Sequence, residues 1–131
     1  MATKEEKNLT SQFFSDQRGE LYVNKIQDVE FNVIFTKAGV YRAGDYHPGE
    51  QYSVILKGQV EITLRQNDQD VLKKYGPNEL IVIPKDTPHL YKFLADTVMM
   101  EWLAGSYKPQ YYAPYRKIIL EQLEKLKNKL S

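Results

Sequence analysis

Gly39-Val40-Tyr41-Arg42-Ala43-Gly44-Asp45-Tyr46-His47-Pro48-Gly49-Glu50-Gln51-Tyr52-Ser53-Val54-Ile55-Leu56-Lys57-Gly58 is the stretch on which the fold reading turns. On an extended strand, residues two apart point the same way. That parity groups Asp45 and His47 with Tyr41 and Ala43, and sends Arg42, Gly44 and Tyr46 to the other face. A tight connection at Pro48-Gly49 starts the next strand and brings Gln51 to the same side. Beyond Pro84-Lys85-Asp86-Thr87-Pro88, His89 arrives on a further strand, so two imidazoles, one carboxylate and one amide converge on one point. Such a set suits a divalent ion. Imidazole binds iron, manganese and zinc alike and carboxylate oxygen accepts the harder ions, so ligand type does not choose among them.

Outward from that stretch, Leu21 to Leu103 is a succession of short apolar or alternating runs closed by turn signals. Val60, Ile62 and Leu64 alternate with Glu61, Thr63 and Arg65, which places the aliphatic residues on one sheet face. Leu21 to Ile26, Phe31 to Thr36, Tyr52 to Leu56, Leu80 to Ile83, His89 to Ala95 and Val98 to Leu103 read as further strands. Gln66 to Asp70 reads as a hairpin loop by composition, and Gly76-Pro77-Asn78 as a turn. Many short strands with little helix favour an all-β sandwich or barrel, because closure removes exposed edges. The tail changes period. Ile119, Leu123, Leu126 and Leu130 fall at helical spacing after the Pro114 start signal, giving one amphipathic helix over 112–130 that caps the barrel or joins a dimer interface. We read 1–131 as one domain, with an N-terminal arm over 1–15 and the barrel over 16–104.

Composition narrows the function classes. The 131 residues are 42% hydrophobic and 27% charged, ordinary for a globular domain. Eighteen Lys and Arg against seventeen Asp and Glu leave +1, so no overall field attracts nucleic acid or an anionic membrane. The absence of cysteine excludes disulfides and thiol chemistry. Charged residues at Lys4 to Lys7 stand where a signal peptide would be apolar, and no apolar run reaches a membrane span, so the expected location is the cytoplasm. Serine-histidine-acid hydrolysis, phosphate loops and helix-turn-helix recognition have no supporting pattern.

In spacing, Gly39, Asp45, His47, Gln51 and Gly58 resemble the first cupin motif, Gly-x5-His-x-His-x3-4-Glu-x6-Gly. Asn78, Pro84, Asp86, His89 and Phe93 echo the second, Gly-x5-Pro-x-Gly-x2-His-x3-Asn. The resemblance implies a single double-stranded β-helix, or jelly-roll, barrel, with Asp45, His47, Gln51 and His89 in the places of the metal ligands. Gln51 replaces a charged glutamate, which removes one anionic ligand.

Within the cupins the chain looks most like the epimerases and ketoisomerases of nucleotide-linked deoxysugars. Asp16-Gln17-Arg18-Gly19, Arg42 to His47, and Val82-Ile83-Pro84 to His89 carry that likeness. It implies acid/base chemistry beside a sugar ketone, with Arg18 and Arg42 gripping the diphosphate. Asp45 stands where the base histidine would be, and His47 beside it could serve instead. Tyr91, two residues beyond His89, faces the same interior as a proton donor. Glu101, a carboxylate in an apolar run, belongs to the substrate site if it faces inward; parity alone does not settle that, since a bulge reverses it. Tyr107, Tyr111, Tyr112 and Tyr115 either seal the join of barrel and helix or stack on a ligand. Two other readings stay open: a mononuclear metal cupin of oxygenase or isomerase type, and a non-catalytic sugar-binding barrel. A small-molecule ligand and a homodimer are the expected partners.

Overall fold

The computed structural model describes residues 9–104 and 108–129. Strands β1 (Leu9–Asp16), β2 (Gly19–Ile26), β3 (Val29–Thr36), β4 (Tyr41–Tyr46), β5 (Glu50–Lys57) and β6 (Val60–Gln66) come first. They are followed by β7 (Gln69–Tyr75), β8 (Leu80–Ile83), β9 (His89–Phe93), β10 (Thr97–Ala104), the short β11 (Gln110–Tyr111) and helix α1 (Ala113–Lys129). Two antiparallel sheets result, ordered β1-β2-β3-β10-β5-β8 and β11-β4-β9-β6-β7. Consecutive strands mostly switch sheets, which is the jelly-roll pattern and closes the molecule around one interior. Among the described residues no helix is long and apolar enough to cross a membrane.

The interior follows from period-two alternation. Ile34, Ile55, Val60, Ile62, Ile81, Ile83, Tyr91, Phe93 and Met99 form one buried cluster between the sheets. Val60 and Ile62 are buried as their alternation requires. Helix α1 packs on the outside of its own barrel: Tyr115 and Ile119 join Leu90, with Tyr41, Tyr112 and Leu123 around them. Its first turn contains Pro114, whose missing N–H has no helical partner to lose there. Tyr112 and Tyr115 therefore seal the join, whereas Tyr111 is largely exposed. Tyr107, Leu130 and the first eight residues of the expected arm lie outside the described residues.

Two boundaries differ from the sequence reading. From Leu9 onward the expected arm is a strand, paired with β2 from Leu9↔Ile26 to Asp16↔Gly19. Its polar and apolar residues do not alternate, so the pattern carried no strand signal; backbone pairing at a sheet edge needs none. The expected five-residue loop at Gln66 to Asp70 shrinks to a two-residue turn. Asn67 and Asp68 both take positive φ, 53° and 60°, the backbone that lets a hairpin turn match strand twist.

Candidate metal centre and ligand cavity

Both imidazoles are tethered in the same way. Nδ1 of His47 lies 2.8 Å from the Gly49 carbonyl oxygen and Nδ1 of His89 lies 2.9 Å from that of Thr87. A carbonyl only accepts, so each Nδ1 carries a proton, and Nε2 is the nitrogen that offers a lone pair when the ring is neutral. The rings sit edge to face with centroids 5.0 Å apart, and both residues are 1% exposed.

What those lone pairs face decides the chemistry of the site. Gln51 Nε2 donates to Glu101 Oε2 at 3.0 Å and to the Tyr91 hydroxyl at 3.2 Å. This leaves Gln51 Oε1 pointing at His47 Nε2, 3.0 Å away. Likewise His89 Nε2 lies 3.2 Å from Asp45 Oδ1, yet it is buried and makes no hydrogen bond. The two atoms are within reach of each other but the line of approach is wrong for a hydrogen bond, which is how two donors to a third centre are disposed. Two lone-pair atoms in contact repel unless a proton or a cation lies between them. Donor atoms about 2.1 Å from one ion and roughly 90° apart stand about 3.0 Å from each other. Ligand atoms of Asp45, His47 and His89 all lie within 4.8 Å of one another. The arrangement thus fits a divalent cation, with backbone carbonyls orienting the histidines from behind.

The local sequence explains how β4 delivers its side chains. Arg42 pairs with Tyr91 and Asp45 with His89, while Ala43 opposes Leu90 and the register shifts before Asp45. One extra residue is therefore accommodated at Ala43-Gly44, whose φ values are 80° and 72°. This is a β-bulge, and it corrects the parity expected from sequence: Arg42 turns into the cavity beside Asp45, and Tyr41 turns outward onto α1. Gly44 also lets the helix approach, since a Cβ there would meet Ile119 Cδ1 at 2.8 Å.

A cavity of about 680 Å³ runs along this face, lined among others by Arg18, Arg42, Asp45, Gln51, Tyr91 and Glu101. Glu101 faces inward: although the residue is only partly buried, its carboxyl group accepts from Asn32 Nδ2 at 3.1 Å and from Gln51. Enclosure raises its pKa against the opposing pull of Asn32 and Arg42. Tyr91 enters the same interior, its hydroxyl shared with Ser53 Oγ at 3.1 Å, and burial followed by the Glu101 charge pushes its pKa up. Arg42 donates through Nε to Thr36 Oγ1 at 2.8 Å. Burial, with nearby Arg18 adding to it, lowers its pKa to about 10. The Arg18 fork is taken by Asp16, at 3.0 and 2.7 Å. Asn32 and Ser53 were not among the sequence candidates. Asn32 shares parity with Ile34, and Ser53 with Gln51 and Ile55, which is the one signal that could have found them.

Burial is also the first cause of the lowered pKa of His89, partly opposed by the Thr87 hydrogen bond and Asp45. Below the ordinary value of 6.5, the unfolded chain therefore takes up a proton here before the folded one does, and stability falls with acidification. Glu101 acts oppositely, since its raised pKa makes the folded state the better proton acceptor as pH drops. In metal-free protein, urea denaturation between about pH 7 and pH 5.5 should show a decline that is shallower in His89→Gln. An identical slope in the variant would show that another group governs it.

A barrel of two antiparallel sheets with a buried cluster of two histidines and an aspartate defines the class of small jelly-roll proteins to which this chain belongs. The cupin domain family (Cupin_2) matches residues 33–105, more than half of the chain, and the protein is a member of the cupin family. Among solved structures it is similar to the capsular polysaccharide assembling protein CapF from Staphylococcus aureus, with 18% identity, TM-score 0.64, and coverage of 78% of this chain and 31% of that one. It is also similar to the S161A mutant of Bacillus subtilis oxalate decarboxylase OxdC, with 14% identity, TM-score 0.65, and coverage of 75% and 28%. The chain thus spans under a third of either protein, and likeness at this identity is one of fold. Among curated proteins no sequence relative is detected.

Proposed function

We propose that the barrel is a mononuclear metal cupin acting on a small polar substrate, with Asp45, His47, Gln51 and His89 as the ligands. The observation that carries this reading is the pair of Nε2 atoms, each on a ring tethered through Nδ1 and each set against a side-chain oxygen, at 3.0 and 3.2 Å. When bound, a divalent ion supplies Lewis acidity toward a substrate oxygen and, if it is iron or manganese, electron exchange. The chain's own groups do the rest. Glu101 holds the Gln51 amide in the orientation that presents Oε1. With its pKa raised from the carboxylate range, while burial pushes that of Tyr91 further above its own, Glu101 is also better placed than Tyr91 to exchange a proton with a ligand. Chelator-treated protein reconstituted with manganese, iron or zinc should retain about one ion per chain by elemental analysis; retention of none of the three would rule the reading out.

A second reading is acid/base epimerisation or ketoisomerisation of a nucleotide-linked sugar. Arg18 and Arg42 both line the cavity that holds Asp45, which is the observation favouring it. Calorimetric titration with deoxythymidine diphosphate tests it, and absence of heat at roughly millimolar ligand would remove it.

A homodimer is the proposed assembly. On the outer face of the larger sheet, Phe13, Tyr22, Val33, Met100, Val54 and Leu80 stand directly opposite one another across all six strands. Phe13, Tyr22 and Leu80 are exposed, and an apolar band spanning a whole sheet is more than a monomer usually leaves in water. Sedimentation should give a dimer that Met100→Glu dissociates; a wild-type monomer at about 100 μM would overturn the assignment.

A further inference from the structure

The geometry points to a monocarboxylate with an uncharged body as the ligand of the cavity, its carboxylate taken by the guanidinium of Arg42. This rests on reading the cavity as the ligand site and is independent of which ion the metal cluster holds.

The position of Arg42 is built. Without the Ala43-Gly44 bulge its side chain would leave on the outer face, and the bulge holds a non-glycine residue, Ala43, at a φ of 80°. Strain of this kind persists where the surroundings require a particular side-chain direction. Once inside, Arg42 is anchored through Nε alone, on the fully buried Thr36. Among the described residues its Nη1 and Nη2 groups have no hydrogen-bond or ion-pair partner, and the residue lines the cavity. A planar fork anchored from behind and open in front matches a carboxylate bidentately.

Charge selects the number of anionic groups. Arg18 already holds Asp16 through Nε and Nη2, so of the two arginines lining the cavity Arg42 alone keeps both Nη groups open. Four acidic residues, Asp28, Glu30, Asp45 and Glu101, also line the cavity. A second or third negative charge on the ligand would therefore face carboxylates, which disfavours a diphosphate. Leu21, Phe31, Ile34, Met99 and Trp102 supply apolar wall for the body of the ligand.

Trp102 is the sole tryptophan of the chain and lines the cavity, so its fluorescence reports binding. We would titrate ion-free protein with benzoate and with its neutral isostere benzamide. Benzoate should bind at least about tenfold more tightly, Arg42→Gln should bring the ratio to about one, and Arg42→Lys, charged but without the fork, should fall between. Equal affinities in the wild type, no response to benzoate, or a preference that survives in Arg42→Gln would each overturn the inference. So would displacement of benzoate by pyrophosphate at equal or lower concentration. If Arg42→Gln does not fold, the wild-type ratio and Arg42→Lys decide. Manganese binding, measured separately, reports on the metal reading, so the two can fail independently.

Discussion

Replacing His89 by alanine should weaken divalent-metal binding by at least about a hundredfold. The imidazole is held by Thr87 with its Nε2 set against Asp45 Oδ1, so truncation removes one donor and unsettles its neighbour. Glu101→Ala should cost less, roughly tenfold, because it frees the Gln51 amide to rotate without deleting a ligand. The ordering of the two variants is the informative result. Calorimetric titration of chelator-treated protein with manganese would measure it, alongside thermal melts to confirm that both variants fold. Wild-type affinity in His89→Ala would remove the cluster as a metal site, whatever the fate of Glu101→Ala.

A large effect on stability is expected at Gly58. Its φ is +107°, and a Cβ placed there would lie 2.3 Å from Thr97 Oγ1, 2.6 Å from the Asp96 carbonyl oxygen and 2.7 Å from Thr97 Cα. Two of those three atoms are backbone, and Thr97 is fully buried with its hydroxyl bonded to Gln59 and Ala95. Nothing there can move aside cheaply. Gly58→Ala should lose about 3 kcal/mol or more, roughly 10 °C in melting temperature. Gly39→Ala separates the causes, since its φ is +87° but no atom lies within 4 Å of the added Cβ. Backbone strain alone should cost it about 1 kcal/mol. Equal losses at the two glycines would mean that the contact with Thr97 is relieved by local adjustment.

Motif spacing survived where residue type did not. Asn78 and Asp86 stand at two glycine places of the second cupin motif, and both adopt positive φ, 68° and 56°. Asparagine and aspartate tolerate that backbone better than other side-chain-bearing residues, so the turns, and with them the strand register, are kept. Register is what carries His89 to Asp45. Hence the site residues could be named from spacing although only His47 and His89 match the motif's ligands in kind.

Read alone, the chain determined an all-β barrel with a terminal helix, and the convergence of Asp45, His47, Gln51 and His89. Those follow from period-two alternation and turn chemistry, which act over a few residues and leave their mark in local order. Tertiary structure alone decided that Arg42 turns inward and Tyr41 outward, that Glu101 faces the cavity, and that Leu9–Asp16 is a strand. A bulge inserts one residue without changing composition, and an edge strand is recruited by its neighbour's open N–H and C=O groups. In each case the cause lies on another strand, where sequence order does not record it.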